Sequence, residues 1–415
     1  MGQRHERLLL GLILQAVALL PSGGGCGGSS PPAANRPVLL DPEDVADDDM
    51  TCHVVQRAIL DASAELASPA LARSDRGVLV AWVRRASGPR QIGLLEISPE
   101  LTPRGEVAEL DPGGDMPLDL SLAACGSRYH VTWQLQEREG QSIRTATALP
   151  GASQPAPVDP IVVAGLGMAP TMGCLGDTTA VAWSVRRDGI QDIMLRWLGP
   201  SGDLSEPIRV SGETDAAAAP AMACAAGHCA LAWSDRRDVY AEIYATLIDE
   251  GADHAARPVA VSHHDQTLSG AGGGYGPDIG AIGDRGFVVA WHDNRSEDES
   301  EIYAATLSAR GNAGANRRIT MSTASSTAPS VAGCSDGQTT IAWRDRRDGP
   351  AKVMIAAVDD HARRRSAATM ITADVEEASS PASICVEGAG HVVAWTEADR
   401  ASGDNALAVA VVRCE

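Results

Sequence analysis

The side chains best suited to chemistry recur as one motif. Trp-x-Asp-x-Arg occurs three times: Trp233-Ser234-Asp235-Arg236-Arg237, Trp291-His292-Asp293-Asn294-Arg295 and Trp343-Arg344-Asp345-Arg346-Arg347. A carboxylate two residues from a guanidinium has two uses. It can cap a turn's backbone donors while the arginine pairs with it, or Asp235, Arg237, Asp293, Arg295, Asp345 and Arg347 can together face a ligand. A second polar concentration is His263-His264-Asp265-Gln266, followed by a glycine run and Tyr275. His263, His264 and Asp265 are metal-ligand types, but adjacent histidines on a strand-like segment point to opposite sides, so a solvated loop fits better and no metal is expected.

Other chemistries are disfavoured by what the chain contains. Lys352 is its single lysine, against 33 arginines, so Schiff-base catalysis has almost no candidate and the bias looks like that of a high-GC bacterial genome. A formal charge of -20 repels phosphate backbones, which argues against nucleic acid as a partner. There is no GxSxG elbow, phosphate loop or HExxH helix, and no cofactor is expected.

The elements that would position these residues follow from the tryptophans. Seven of the eight, Trp82, Trp133, Trp183, Trp233, Trp291, Trp343 and Trp395, are spaced by 51, 50, 50, 58, 52 and 52 residues. Each closes a short apolar run, such as Val78-Leu79-Val80-Ala81-Trp82 or His391-Val392-Val393-Ala394-Trp395, with the length and β-branched content of a strand. About 13 residues earlier stands a proline (Pro69, Pro170, Pro220, Pro277, Pro329 and Pro381, with Pro117 slightly further away), expected to open a first strand. Third strands are expected to begin near Ile92, Ile143, Ile193, Ile243, Ile302, Val353 and Leu407, and a fourth follows a turn that often holds glycine. Seven such units predict an all-β chain: a seven-bladed β-propeller of four-stranded antiparallel blades, beginning near residues 69, 117, 170, 220, 277, 329 and 381. The last unit lacks a fourth strand, and residues 51–66, containing His53 to Leu60, are expected to supply it and close the ring. Trp197, the eighth tryptophan, falls in a third strand and is expected in the core or a blade interface.

The WxDxR runs followed by Ile243-Tyr244-Ala245 and Ile302-Tyr303-Ala304 resemble the sialidase-like or BNR-type propeller repeats of secreted bacterial proteins. The resemblance covers residues 52–415 as a repeat pattern and implies the propeller, with little said about function. Catalytic sialidases need an arginine cluster, a tyrosine nucleophile with a glutamate partner, and a further acid. Here Tyr129, Tyr244 and Tyr303 fall in strands, Tyr240 and Tyr275 are the loop tyrosines, and no glutamate is assignable. Nor do turns such as Ile248-Asp249-Glu250-Gly251 keep the Asp-box pattern.

The N-terminus reads as an export signal. Arg4 and Arg7 precede an apolar run, Leu8 to Leu20, too short for a comfortable membrane span, and then Pro21-Ser22-Gly23-Gly24-Gly25-Cys26. Small residues before a lone cysteine resemble a bacterial lipobox, although Gly23 stands where a leucine is usual. Cys26 is the expected lipidation site, residues 1–26 the signal, 27–50 a flexible tether and 51–415 the propeller. Gly27, in place of an aspartate, favours the outer membrane, with plain secretion as the alternative. Membrane attachment would be by this lipid alone, with no transmembrane helix in the mature chain. Eight further cysteines, an even number in an exported chain, are expected to pair as Cys52–Cys414, Cys125–Cys174 and Cys334–Cys385 by repeat register and as Cys224–Cys229 across a four-residue hairpin turn. The functional expectation is a non-enzymatic exported lipoprotein whose propeller binds a protein or glycan; the alternatives are a glycan-processing enzyme of the sialidase-like superfamily and a purely structural envelope component.

Overall fold

A computed structural model describes residues 44–415, apart from 64, 75, 86–87, 115, 138–139, 149–165, 213, 215, 239, 264–275, 296–298 and 399–404. Its strands form seven sheets in chain order around a central channel, a seven-bladed β-propeller. Blade 1 shows the pattern: Glu65–Ser74, Gly77–Arg85, Gln91–Ile97 and Ala108–Leu110 pair in sequence, each antiparallel to the last. Blade 2 has three described strands, ending with Gly140–Ala148. Because every hairpin is antiparallel, turns joining strands 1–2 and 3–4 share one face. The 2–3 loops and the blade-to-blade connections share the other.

The second strand of each blade is apolar on both sides because it lies between neighbouring sheets. Its tryptophan is at most 4% exposed in all seven blades and packs against the preceding blade. Trp395 meets Ala342, Val353 and Ile355 of blade 6, and Trp82 meets Val392 and Ala394 of blade 7. Each indole contributes roughly 4–6 kcal/mol of apolar burial at about 25 cal/mol per Å². Trp197 sits at the interface of blades 3 and 4, its indole donating to Ala252 O at 3.1 Å.

The ring closes as the repeat count requires. Cys52–Asp61 lies antiparallel to Asn405–Cys414 and becomes the fourth strand of blade 7. Disulfides join Cys52 to Cys414, Cys125 to Cys174, Cys224 to Cys229 and Cys334 to Cys385, the pairs expected from the sequence. The first links closing strand to final strand.

Two expectations need correction. The tether was expected to reach residue 50, yet Val45–Met50 is a strand, parallel to Arg364–Ser366 at the outer edge of blade 6, with Arg364 N donating to Asp44 O at 2.9 Å. An acidic run looks solvated in sequence, but its backbone can still satisfy an open sheet edge. Pro117 and Pro277 stand at the start of their first strands, but the other five prolines do not open theirs. Pro69, Pro170, Pro220, Pro329 and Pro381 sit inside them at a β-bulge, where the register slips between Ala67 and Ala70, Met168 and Thr171, Ala218 and Ala221, Thr327 and Ser330, and Ser379 and Ala382. A bulge leaves one residue unpaired, so proline's missing N–H costs no ladder bond there. No helix among the described residues is long and apolar enough to cross a membrane.

Candidate functional site

The WxDxR carboxylates are internal. Asp235, Asp293 and Asp345 are at most 1% exposed. Asp235 accepts from Trp233 Nε1 at 2.9 Å, Thr214 Oγ1 at 2.7 Å, Arg237 N at 2.9 Å and the Arg237 guanidinium at 2.6 Å. Asp293 accepts from Trp291 Nε1 at 3.1 Å and from Arg295 N at 2.8 Å; Asp345 accepts from Trp343 Nε1 at 3.0 Å and Arg347 N at 2.9 Å. Burial alone would raise the Asp235 and Asp345 carboxyls, but these bonds, led by those from Arg237 and Arg347, hold both below the usual aspartate range. Bound to Asp345, the Arg347 guanidinium is in turn held above its ordinary value. The tyrosine that follows the motif completes the unit: Arg237 lies 4.1 Å over the Tyr244 ring and Arg295 4.5 Å over Tyr303. Of the two uses such a motif can have, the geometry shows the structural one.

Other blades solve the same problem with different residues. In blade 7, Trp395 Nε1 donates to Glu397 at 2.8 Å, and the guanidinium comes from Arg57 of the closing strand at 2.7 Å. In blade 1, Trp82 Nε1 donates at 2.7 Å to Asp61 at the end of that same strand, and Arg84 pairs with Asp61 at 2.8 Å. The closing strand thus supplies a cation to the last blade and an anion to the first. Its sequence shows no WxDxR signature, so that role was not legible.

The central channel forms a concavity of about 730 Å³ walled by first strands. Its tightest repeating feature is the residue before each bulge proline. Ser68, Ala169, Ala219 and Ala328 take left-handed backbone there, with φ between 47° and 52°. Gly276 holds the same place in blade 5, where a Cβ would come within 2.6 Å of Ala219 Cβ, so neighbouring blades approach too closely for larger side chains. Blade 2 departs from this ring: Asp119 (φ 49°), followed by Leu120 in place of proline, projects a carboxyl where the others are small. Asp119 is exposed to the channel, and the surrounding walls, by excluding part of its solvent, raise its pKa.

A second channel carboxyl, Asp278, follows Pro277. Burial pushes it up to about 6, against hydrogen bonds that favour its charged form. Its Oδ2 accepts from Val331 N of blade 6 at 2.7 Å. Ser121 and Ser330 hold the same place in their blades and accept from Met172 N at 3.1 Å and Ser383 N at 2.9 Å. Asp278 therefore has a structural task, satisfying an amide just past the next blade's bulge. At the other end of the first strands, Arg73 pairs with Glu387 at 3.1 Å.

Among the described residues, the remaining sequence candidates do not join the channel site. His263 is exposed, and its backbone, rather than its ring, is held: N donates to Asn316 Oδ1 at 3.1 Å. His264, Asp265, Tyr275 and Cys26 lie outside the described residues, as does the side chain of Tyr240. One tyrosine does have a glutamate partner. Tyr129 Oη donates to Glu96 at 3.3 Å, but both are buried between blades 1 and 2, toward the 1–2 turn face. In place of an Asp-box, Ser98, Ser308 and Asp359 cap 3–4 turns, accepting from Thr102 N at 3.3 Å, Asn312 N at 3.1 Å and Arg363 N at 2.8 Å. Asp119 and Asp278 were missed because neither carries a motif; an alignment of the seven proline segments would have exposed the acid in a series of small residues.

No protein-family model and no curated protein matches the chain. Among solved structures it is similar to an ulvan lyase described as a new polysaccharide lyase family, PL25, with TM-score 0.57 and 9% identity over 86% of this chain and 98% of that one. It is also similar to a neuraminidase-like protein of A/flat-faced bat/Peru/033/2010, with TM-score 0.48 and 11% identity over 90% and 97%. An α-L-arabinofuranosidase from Fusarium graminearum gives TM-score 0.48 and 12% identity over 72% and 92%. At such identities the likeness is one of fold.

Proposed function

We propose that the protein is an exported lipoprotein, attached through Cys26, whose propeller binds a protein or glycan at the channel and the loop face around it, without turning it over. Asp119 carries the reading. It breaks a ring of small residues with a carboxyl, on the same left-handed backbone as its counterparts, facing a channel whose walls disfavour its charge. Sites that break a repeat's local rules are where function is expected. A carboxyl there can accept from ligand hydroxyls or pair with a ligand cation. The rest of the scaffold favours rigid presentation, since the WxDxR groups are spent on internal bonds and the ring is closed by Cys52–Cys414. Four disulfides fit an oxidising compartment.

The test is a binding screen of residues 44–415 against glycans and envelope extracts, with fluorogenic glycosides in parallel. Saturable binding without turnover supports the proposal; glycoside turnover overturns it in favour of an enzyme.

A further inference from the structure

Two of the four disulfides are equivalent by repeat register, each joining the first strands of adjacent blades, but their surroundings differ. Cys125–Cys174 stands beside Thr179, whose Oγ1 lies 3.0 Å from Cys125 Sγ. At Cys334–Cys385 the corresponding position, four residues before the blade's tryptophan, is His391, with Nε2 4.0 Å from Cys334 Sγ. One ligand-type atom from each of Cys334, Cys385 and His391 lies within 4.8 Å of the others. All three residues are at most 5% exposed.

A second observation concerns the imidazole. His391 is 1% exposed, and its Nδ1 is buried without a hydrogen-bond partner. It borders a cavity of about 270 Å³ whose wall also includes Asp336, Asp359 and Asp360 beside Arg285 and Arg365.

We propose that reduction of Cys334–Cys385 converts this cluster into a site for a zinc-class divalent cation, held by Cys334 Sγ, Cys385 Sγ and His391 Nε2, with one exogenous ligand. Zinc sits about 2.3 Å from sulfur and about 2.0 Å from nitrogen, which places tetrahedral ligand atoms about 3.5–3.8 Å apart. The nitrogen is already close to that distance from Cys334 Sγ, so chiefly the sulfurs must part. A dithiol reductant supplies two electrons and two protons and is itself oxidised to a disulfide. The Cys334–Cys385 bond breaks to two thiols, and the cation displaces both thiol protons to solvent. A disulfide oxidant reverses the change by exchange: it takes up the two electrons, and two protons from solvent, becoming a dithiol, while the Cys334–Cys385 bond re-forms and the ion is released. The propeller then carries a redox-gated cation site, separate from Asp119.

The full chain, reduced with a dithiol and desalted anaerobically, is titrated with Co²⁺. The expected result is a thiolate-to-cobalt charge-transfer band saturating at one tight equivalent, displaced by Zn²⁺ and absent from the oxidised protein. His391→Gln should weaken binding by roughly tenfold or more, Cys334→Ser should abolish the tight equivalent, and Cys125→Ser should leave it intact. If His391→Gln does not fold, the contrast between Cys334→Ser and Cys125→Ser decides. No tight equivalent, binding indifferent to His391 or Cys334, or unfolding of the reduced chain in the presence of the ion overturns the proposal.

Discussion

Replacing Asp278 with asparagine should stabilise the protein at neutral pH. The ordinary aspartate value is 3.8 and that of Asp278 is about 6. At 1.36 kcal/mol per unit, the gap amounts to about 3 kcal/mol by which folding disfavours the ionised carboxylate. The sign follows from linkage. Below the unfolded value both states hold the proton and nothing is lost. As the pH rises toward the folded value, the unfolded chain releases its proton first, so stability falls and then levels off above it. Asparagine keeps an oxygen for Val331 N and never ionises. The variant should therefore match the wild type near pH 3.5 and exceed it by up to about 3 kcal/mol at pH 8. Urea unfolding followed by tryptophan fluorescence across pH 3.5–8 measures this, because the seven repeat indoles are buried. A difference that is flat with pH, or a wild type more stable at pH 8, would refute the reasoning.

The WxDxR carboxylates should behave in the opposite sense. Asp293→Ala or Asp345→Ala strands a half-buried guanidinium and a buried indole and should cost about 2–4 kcal/mol in urea unfolding, while leaving ligand binding of the folded fraction unchanged. Asp235 and Asp345, held below the ordinary range, contribute stability that persists above that range and is lost as pH falls through their own values. Gly333→Ala should cost more than about 2 kcal/mol by thermal unfolding, since its Cβ would lie 1.9 Å from Ala281 O of blade 5, a backbone atom that cannot move aside cheaply. Cys26→Ser should shift the protein from the membrane fraction to the soluble fraction on cell fractionation; unchanged membrane association would count against a lipid anchor.

Much of the architecture was legible because it rests on local, repeated causes. A tryptophan ending each apolar run marks the interior strand of every blade, and an unmatched strand at each end of the chain marks the closure. Three of the four disulfides followed from that register. The channel was less legible because bulge geometry is set by curvature around the axis and is not written in the period of side chains. Pro69 and its counterparts therefore looked like strand openers. The acidic run before Cys52 read as solvated because composition reports side-chain preference, whereas Val45–Met50 is held by backbone pairing with Arg364–Ser366. Arg57 and Asp61 serve blades at opposite ends of the sequence, a contact that only the closed ring creates. The candidate site depends on Asp119, whose meaning appears only beside Ser68, Ala169, Ala219, Gly276 and Ala328.

The most direct test of the channel-binding account is a parallel glycan and envelope-extract array on the wild type and Asp119→Ala, with unfolding midpoints recorded for both. The account predicts a saturable ligand for the wild type, loss of that binding by about tenfold or more in the variant, and a variant of near-parental stability, because alanine holds the same backbone at Ala169, Ala219 and Ala328 and only a charge-disfavoured carboxyl is lost. Binding that survives Asp119→Ala unchanged would contradict it.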